Sequence, residues 1–138
     1  MSPVRLDTVH PSGWKKPSGY SNGVVVEGAG RLLFVAGQIA WDADQKLVGG
    51  EDFVAQFRQA LANVVAVVKE AGGWPDHVVR LTIFVTDKRA YQQSSKEVGE
   101  AYREVMGKHY PAMSLVQVAD LLEEGALVEI EATAVLPG

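Results

Sequence analysis

The chain has 138 residues, the size of one compact domain, with 47% apolar residues, 22% charged residues and a net charge of −4. It has no cysteine, which excludes disulfides, thiolate metal sites and a cysteine nucleophile and fits a reducing, cytoplasmic setting. Basic residues are adjacent only at Lys15-Lys16 and Lys88-Arg89, so no basic track for a nucleic acid is expected. No apolar run approaches the length of a membrane span, and "MSPVRLDTVH" lacks the apolar core of a secretory signal, so no membrane partner is expected either.

A short strand is expected at 4–9. Residues 10–23, "HPSGWKKPSGYSNG", are rich in Pro, Gly and Ser and read as a loop, with Trp14 and Tyr20 as its anchors. "VVVEG" (24–28) and "RLLFVAGQ" (31–38) are β-rich runs, and the intervening "GAG" reads as a hairpin turn. "WDADQKLVGG" is a polar connection. A helix then starts at Asp52, a good N-cap residue, with Phe53, Phe57, Leu61, Val64, Val65 and Val68 on one face. Gly72-Gly73 ends it. "HVVRLTIFVTD" (77–87) is β-branched and apolar enough for a central strand. A second helix is expected over 88–106, presenting Tyr91, Val98, Tyr102 and Val105 and weakened by Ser94-Ser95 and Gly99. Strands follow at 113–119 and 127–136. The strand–helix–strand order suggests a right-handed crossover. Two helices cannot cover both faces of such a sheet, so one face must stay wet or meet another subunit.

Most local motifs fail on context. "GYSNG" matches G-x-S-x-G, but a loop precedes Ser21 and a strand follows it, the wrong order for a nucleophile elbow. "GAGRLL" lacks the third glycine of a dinucleotide site. "DADQKLVGGEDF" begins like a calcium loop but has Phe53 where the loop needs Glu. His10, His77 and His109 lie in separate connections without i,i+4 partners, so structural roles are expected and no metal site. One constellation remains. In "ALVEIEATAV" the alternation puts Leu127, Glu129, Glu131, Thr133 and Val135 on one face and Val128, Ile130, Ala132 and Ala134 on the other. With the small apolar set under the helices, both glutamates point to the uncovered face. They are either solvated there or, beneath a neighbouring subunit, desolvated and available for acid–base chemistry.

"GYSNGV", "LLFVAGQIA", "QFRQALANVVAVVKEAGG", "VVRLTIFVTD", "YPAMSLVQV" and "ALVEIEATAV" occur in that order and together resemble the RidA family (YjgF/YER057c, "L-PSP endoribonuclease") from Tyr20 to Val135. The resemblance implies a chorismate-mutase-like α+β fold, a mixed sheet with two helices on one face. It also implies a homotrimer packed on the open faces, with a small-molecule cleft at each subunit interface. The implied activity is hydrolysis of enamines and imines without metal or organic cofactor. Site positions carry over as Tyr20, Gly37, Ser114 and Glu129, with Gln38 also kept. Three positions depart: Ala36 stands where the family has a serine, Leu115 where cysteine or threonine is common, and Met113 where an arginine grips the substrate carboxylate. The family's asparagine near the second helix has only Ser95 or Gly99 as candidates.

The Met113 departure matters most. Two charge-assisted hydrogen bonds are worth about 3–6 kcal/mol together, or two to four decades of affinity, and a thioether supplies neither. The sequence thus looks like an arginine-lacking branch of the family. Its expected activity is an imine or enamine hydrolase with non-standard substrates. Glu129 and Ser114 are the expected catalytic residues, and Tyr20, Gly37, Met113 and Leu115 line the ligand site. Lys15 and Lys16 are candidates to replace the lost charge. The alternative is a non-catalytic, metabolite-binding or chaperone-like trimer. The acidic balance argues against a ribonuclease.

Overall fold

The computed structural model describes residues 4–138. The chain runs β1 (Arg5–Val9), β2 (Gly23–Glu27), β3 (Gly30–Gln38), α1 (Phe53–Glu70), a 3₁₀ turn (Pro75–His77), β4 (Val78–Val85), α2 (Lys88–Gln93), α3 (Ser95–Met106), β5 (Ala112–Gln117) and β6 (Val128–Pro137). The main sheet has the order β3-β6-β4-β5. β4 and β5 are parallel, and the β3–β6 and β4–β6 pairs are antiparallel. This is the expected mixed α+β architecture.

Helix α1 begins where the sequence places it. The Asp52 side chain accepts from the Ala55 N–H at 3.2 Å, and all six residues of the apolar stripe are buried. They pack on Leu81, Ile83 and Val85 of β4 and on Val128, Ile130, Ala132 and Ala134 of β6. Gly72, at φ +93°, ends the helix in the left-handed region that favours glycine.

Two expectations are corrected. "GAG" is not a hairpin turn between paired strands: β2 pairs with β1 in a separate two-stranded sheet, while β3 pairs with β6. Gly28, at φ +97°, lets the chain leave one sheet for the other. The second helix is two helices. At Ser94 (φ −113°, ψ 20°) the backbone leaves the helical region, consistent with the weak propensity of two successive serines.

One face of the sheet carries the helices. The other is open and displays Leu32 (66% exposed), Phe34 (72%) and Val116, with Arg80, Thr82 and Glu131 among them. Apolar side chains this exposed and this close are what a soluble monomer usually avoids.

Candidate functional site

The site is built on two strands at opposite sides of the sheet. On β6 the burial alternates as period-2 geometry requires: Val128, Ile130, Ala132 and Ala134 are buried under the helices, Glu129 is half-buried and Glu131 is exposed. Glu129 therefore lies on the open face. There it meets β3 at a bulge, where the register to β6 slips between Val35 and Gln38. Gly37 sits in that bulge. A Cβ on Gly37 would lie 2.8 Å from Cδ of Glu129, so the carboxylate rests on a backbone that only glycine leaves open. A buried amide sets the start of β6. Gln56, fully buried on α1, donates to the carbonyls of Gly50 (2.7 Å) and Gly125 (3.0 Å) and accepts from the Leu127 N–H (2.9 Å). Leu127 is two residues before Glu129, so this amide fixes where the carboxylate begins its strand.

The second part lies on β5. Parallel pairing sets Met113 opposite Leu81, Ser114 opposite Thr82 and Leu115 opposite Ile83. Met113 and Leu115 thus face the helices and pack on the core, while Ser114 is exposed on the open face. The loop carrying Tyr20 is tied to the entry of β5. The Ser21 N–H donates to the Pro111 carbonyl (3.1 Å), its hydroxyl donates to the Tyr110 carbonyl (2.5 Å), and Ser21 bridges Ala112. His10, bonded to the Trp14 carbonyl and to Asn22, braces the same loop. These bonds order the loop, rather than Trp14 or Tyr20, which are 62% and 42% exposed.

Met113 lines a cavity of about 280 Å³ between β5 and α3. Tyr91, Ser95, Gly99, Arg103 and Tyr110 complete most of its wall, with Ser18 and Gly19 from the Tyr20 loop at the rim. Tyr102 and Tyr110 stack with ring centroids 5.1 Å apart. The Tyr102 hydroxyl donates to the His109 carbonyl at 2.6 Å, and the His109 ring is bonded to the Val78 carbonyl at 2.7 Å, which together clamp the approach to β5. Burial, aided by neighbouring Tyr110, pushes the Tyr102 phenol above the ordinary tyrosine range, so it stays neutral. Tyr20 faces a neighbouring groove with Lys16, and neither Lys15 nor Lys16 lines the Met113 cavity.

The expected residues therefore fall into two groups within one chain. Glu129 and Gly37 occupy the β3–β6 side; Tyr20, Met113, Ser114 and Leu115 occupy the β5 side. Two strand spacings and a two-residue offset separate Ser114 from Glu129, about 12 Å between their Cα atoms. Sequence reasoning missed Gln56 and Arg103. Gln56 is a polar residue on the apolar stripe of α1. Arg103 lies four residues after Gly99, within reach across one helical turn.

This architecture has relatives. The model of the family described as "Endoribonuclease L-PSP" matches residues 14–136. The chain belongs to the RidA (YjgF, L-PSP endoribonuclease) family. It is 38% identical over 120 residues to the RutC family protein slr0709 of Synechocystis, covering 86% of each chain. It is 34% identical over 117 residues to a goat protein named 2-iminobutanoate/2-iminopropanoate deaminase, covering 84% of this chain and 79% of that one. The crystal structure of YyfB from Yersinia pestis, a Rid family protein of unknown function, superposes with a TM-score of 0.83 at 36% identity, covering 95% of this chain and 98% of the other. RidA-family similarity thus extends both to a protein named as an imine deaminase and to one described as of unknown function.

Proposed function

We propose that this RidA-family protein is a cofactor-independent imine or enamine hydrolase, working as a homotrimer on substrates other than the small 2-imino acids an arginine at position 113 would select. The observation that carries this is the Glu129 carboxylate seated on Gly37 on the open face of the sheet. The bulge directs it, and a neighbouring subunit covering Leu32 and Phe34 would desolvate it. β3 and β5 are the two edges of the sheet. Packing the β5 side of one protomer against the β3–β6 side of the next unites the groups that one chain holds apart.

The chemistry needs one proton shuttle. Glu129 takes a proton from a water molecule as its oxygen bonds to the imine carbon, giving a carbinolamine. The carboxyl passes that proton to the imine nitrogen to complete the carbinolamine, then takes the carbinolamine hydroxyl proton and delivers it to the nitrogen as the C–N bond breaks, so ammonia leaves and the carbonyl product forms. Ser114 orients the water or the nitrogen. Met113 favours an apolar body on the substrate, where an arginine would favour a short acid; Leu115 packs on the core and does not line the cavity.

One observation favours the alternative of a non-catalytic metabolite binder: within a chain, Glu129 does not line the Met113 cavity. Mixed trimers separate the two readings. Glu129→Gln and Met113→Trp are each expected to abolish imine hydrolysis. Co-expressed, they leave some interfaces with both halves intact, about a quarter for random assembly, and activity returns to that level. No recovery in a mixed trimer, or a monomeric protein in solution, refutes the shared site.

A further inference from the structure

We infer that Arg103 of α3 is the anion-recognising residue of the Met113 cavity, so the ligand carries one anionic group joined through an apolar, preferably aromatic, spacer. The inference takes from the hydrolase reading only that substrate occupies this cavity.

Three observations carry it. First, among the described residues that line the cavity, Arg103 is the one charged residue and none is a carboxylate. Within one chain, a ligand entering this space meets one positive charge and no negative one. Second, the guanidinium is held over the cavity by helix geometry. Long helical side chains lean toward the helix N-terminus and meet the residue four positions earlier. For Arg103 that residue is Gly99, and a Cβ there would lie 3.3 Å from Nη1 and 4.0 Å from Nη2. The missing side chain at Gly99 is the space the guanidinium uses. Third, among the described residues the Arg103 side chain makes no ion pair or hydrogen bond, whereas Arg5 and Arg58 are paired with carboxylates and Arg31 with main-chain carbonyls. Its five donors are free for a ligand.

The rest of the wall fits a flat apolar body. Tyr91, Tyr110 and Met113 supply aromatic and thioether surface. The Tyr102 hydroxyl is committed to the His109 carbonyl and offers a ligand no proton. Ser95 stands on the same helix as Arg103 as a second donor to the anion. Because Arg103 projects from the helix wall and Met113 from the strand wall, the anion is bound across the cavity from β5. That geometry disfavours a substrate whose carboxylate is bonded directly to the reacting carbon, and it favours one with a spacer between them.

The test uses 3-phenylpropanoate and its neutral counterpart 3-phenylpropanamide as probes, with the full chain labelled at the methionine methyl groups. Titration followed by NMR reads both affinity and place. The wild-type protein is expected to bind the acid about tenfold more tightly than the amide, the lower end for a charge-assisted contact because Arg103 is exposed. The Met113 methyl resonance should shift with either probe. Arg103→Gln should erase the preference for the acid while still binding the amide, and Arg103→Lys should keep part of it. Gly99→Ala should raise the melting temperature, since alanine is the better helix former, yet reduce the preference by displacing the guanidinium. Equal affinity for acid and amide in the wild type, an undiminished preference in Arg103→Gln, or binding that leaves the Met113 methyl unmoved would each overturn the inference. Imine turnover independent of Arg103 would leave the hydrolase reading standing without it. Arg103-dependent binding without turnover would do the reverse.

Discussion

Replacing Gln56 with alanine should damage this protein more than any loop substitution, although Gln56 touches no expected ligand. The side chain is fully buried and makes three hydrogen bonds to main-chain groups in two separate segments, at 2.7, 3.0 and 2.9 Å. Truncation leaves the Leu127 N–H and two carbonyls without that partner. The N–H is the costly one, at about 1–3 kcal/mol, because it has no second way to be satisfied. The two carbonyl bonds add about 0.5–1.5 kcal/mol each. The expected total is about 2–6 kcal/mol, against a stability of about 5–15 kcal/mol. Urea unfolding, followed by circular dichroism at fixed protein concentration, measures it. Because Leu127 leads into Glu129, Gln56→Ala protein that still folds should also lose imine-hydrolysing activity. A loss below about 1 kcal/mol would show that water readily replaces the amide and would refute this account of how β6 is positioned.

Tyr102→Phe should lose about 1 kcal/mol at neutral pH with the bond to the His109 carbonyl. It should also flatten the alkaline limb of stability. The folded phenol is raised above its unfolded value, so its contribution is intact below about pH 10 and falls as pH rises further, at about 1.4 kcal/mol per unit, while only the unfolded chain ionises. Unfolding curves at pH 9 to 11 that stay parallel for wild type and variant would contradict this. Gly37→Ala should shift Glu129 and cut turnover at least tenfold with a small change in melting temperature; unchanged turnover would place the chemistry elsewhere. Met113→Arg should shift preference toward 2-aminoacrylate, measured as kcat/KM against a spacer-bearing imine. A folded variant with no such shift would mean that Met113 acts only in packing.

The sequence was most readable where a pattern is local. The period-2 alternation of 127–135 put Glu129 on the open face, and the three-and-four spacing of α1 identified six of its eight buried residues, missing Gln56 and Ala60, with Asp52 capping the helix. It was least readable where partners are distant in sequence. Nothing between Gly28 and Gly30 says that β2 pairs backward with β1 while β3 pairs with β6. The same alternation that sorted β6 also separates Met113 from Ser114 on β5. Their common motif hid the fact that one faces the helices and the other the open face. Lys15 and Lys16 looked suitable as replacement cations because they share a loop with Tyr20. The cation that lines the Met113 cavity is instead Arg103, on the wall contributed by α3. Its i,i+4 relation to Gly99 was visible in the sequence; the cavity beneath was not.

The central claim is that Glu129 makes this protein an imine hydrolase. The most direct measurement is ammonia release from a spacer-bearing imine, generated in situ by a flavin amine oxidase from 4-(2-aminoethyl)benzoate, and from the alanine-derived 2-imino acid, generated by an amino-acid oxidase, each followed for wild-type protein and Glu129→Gln. The account predicts acceleration over the spontaneous rate, greatest for the spacer-bearing imine, and a loss of about a hundredfold or more in the variant. No acceleration with any imine, or equal rates for the two proteins, would contradict it.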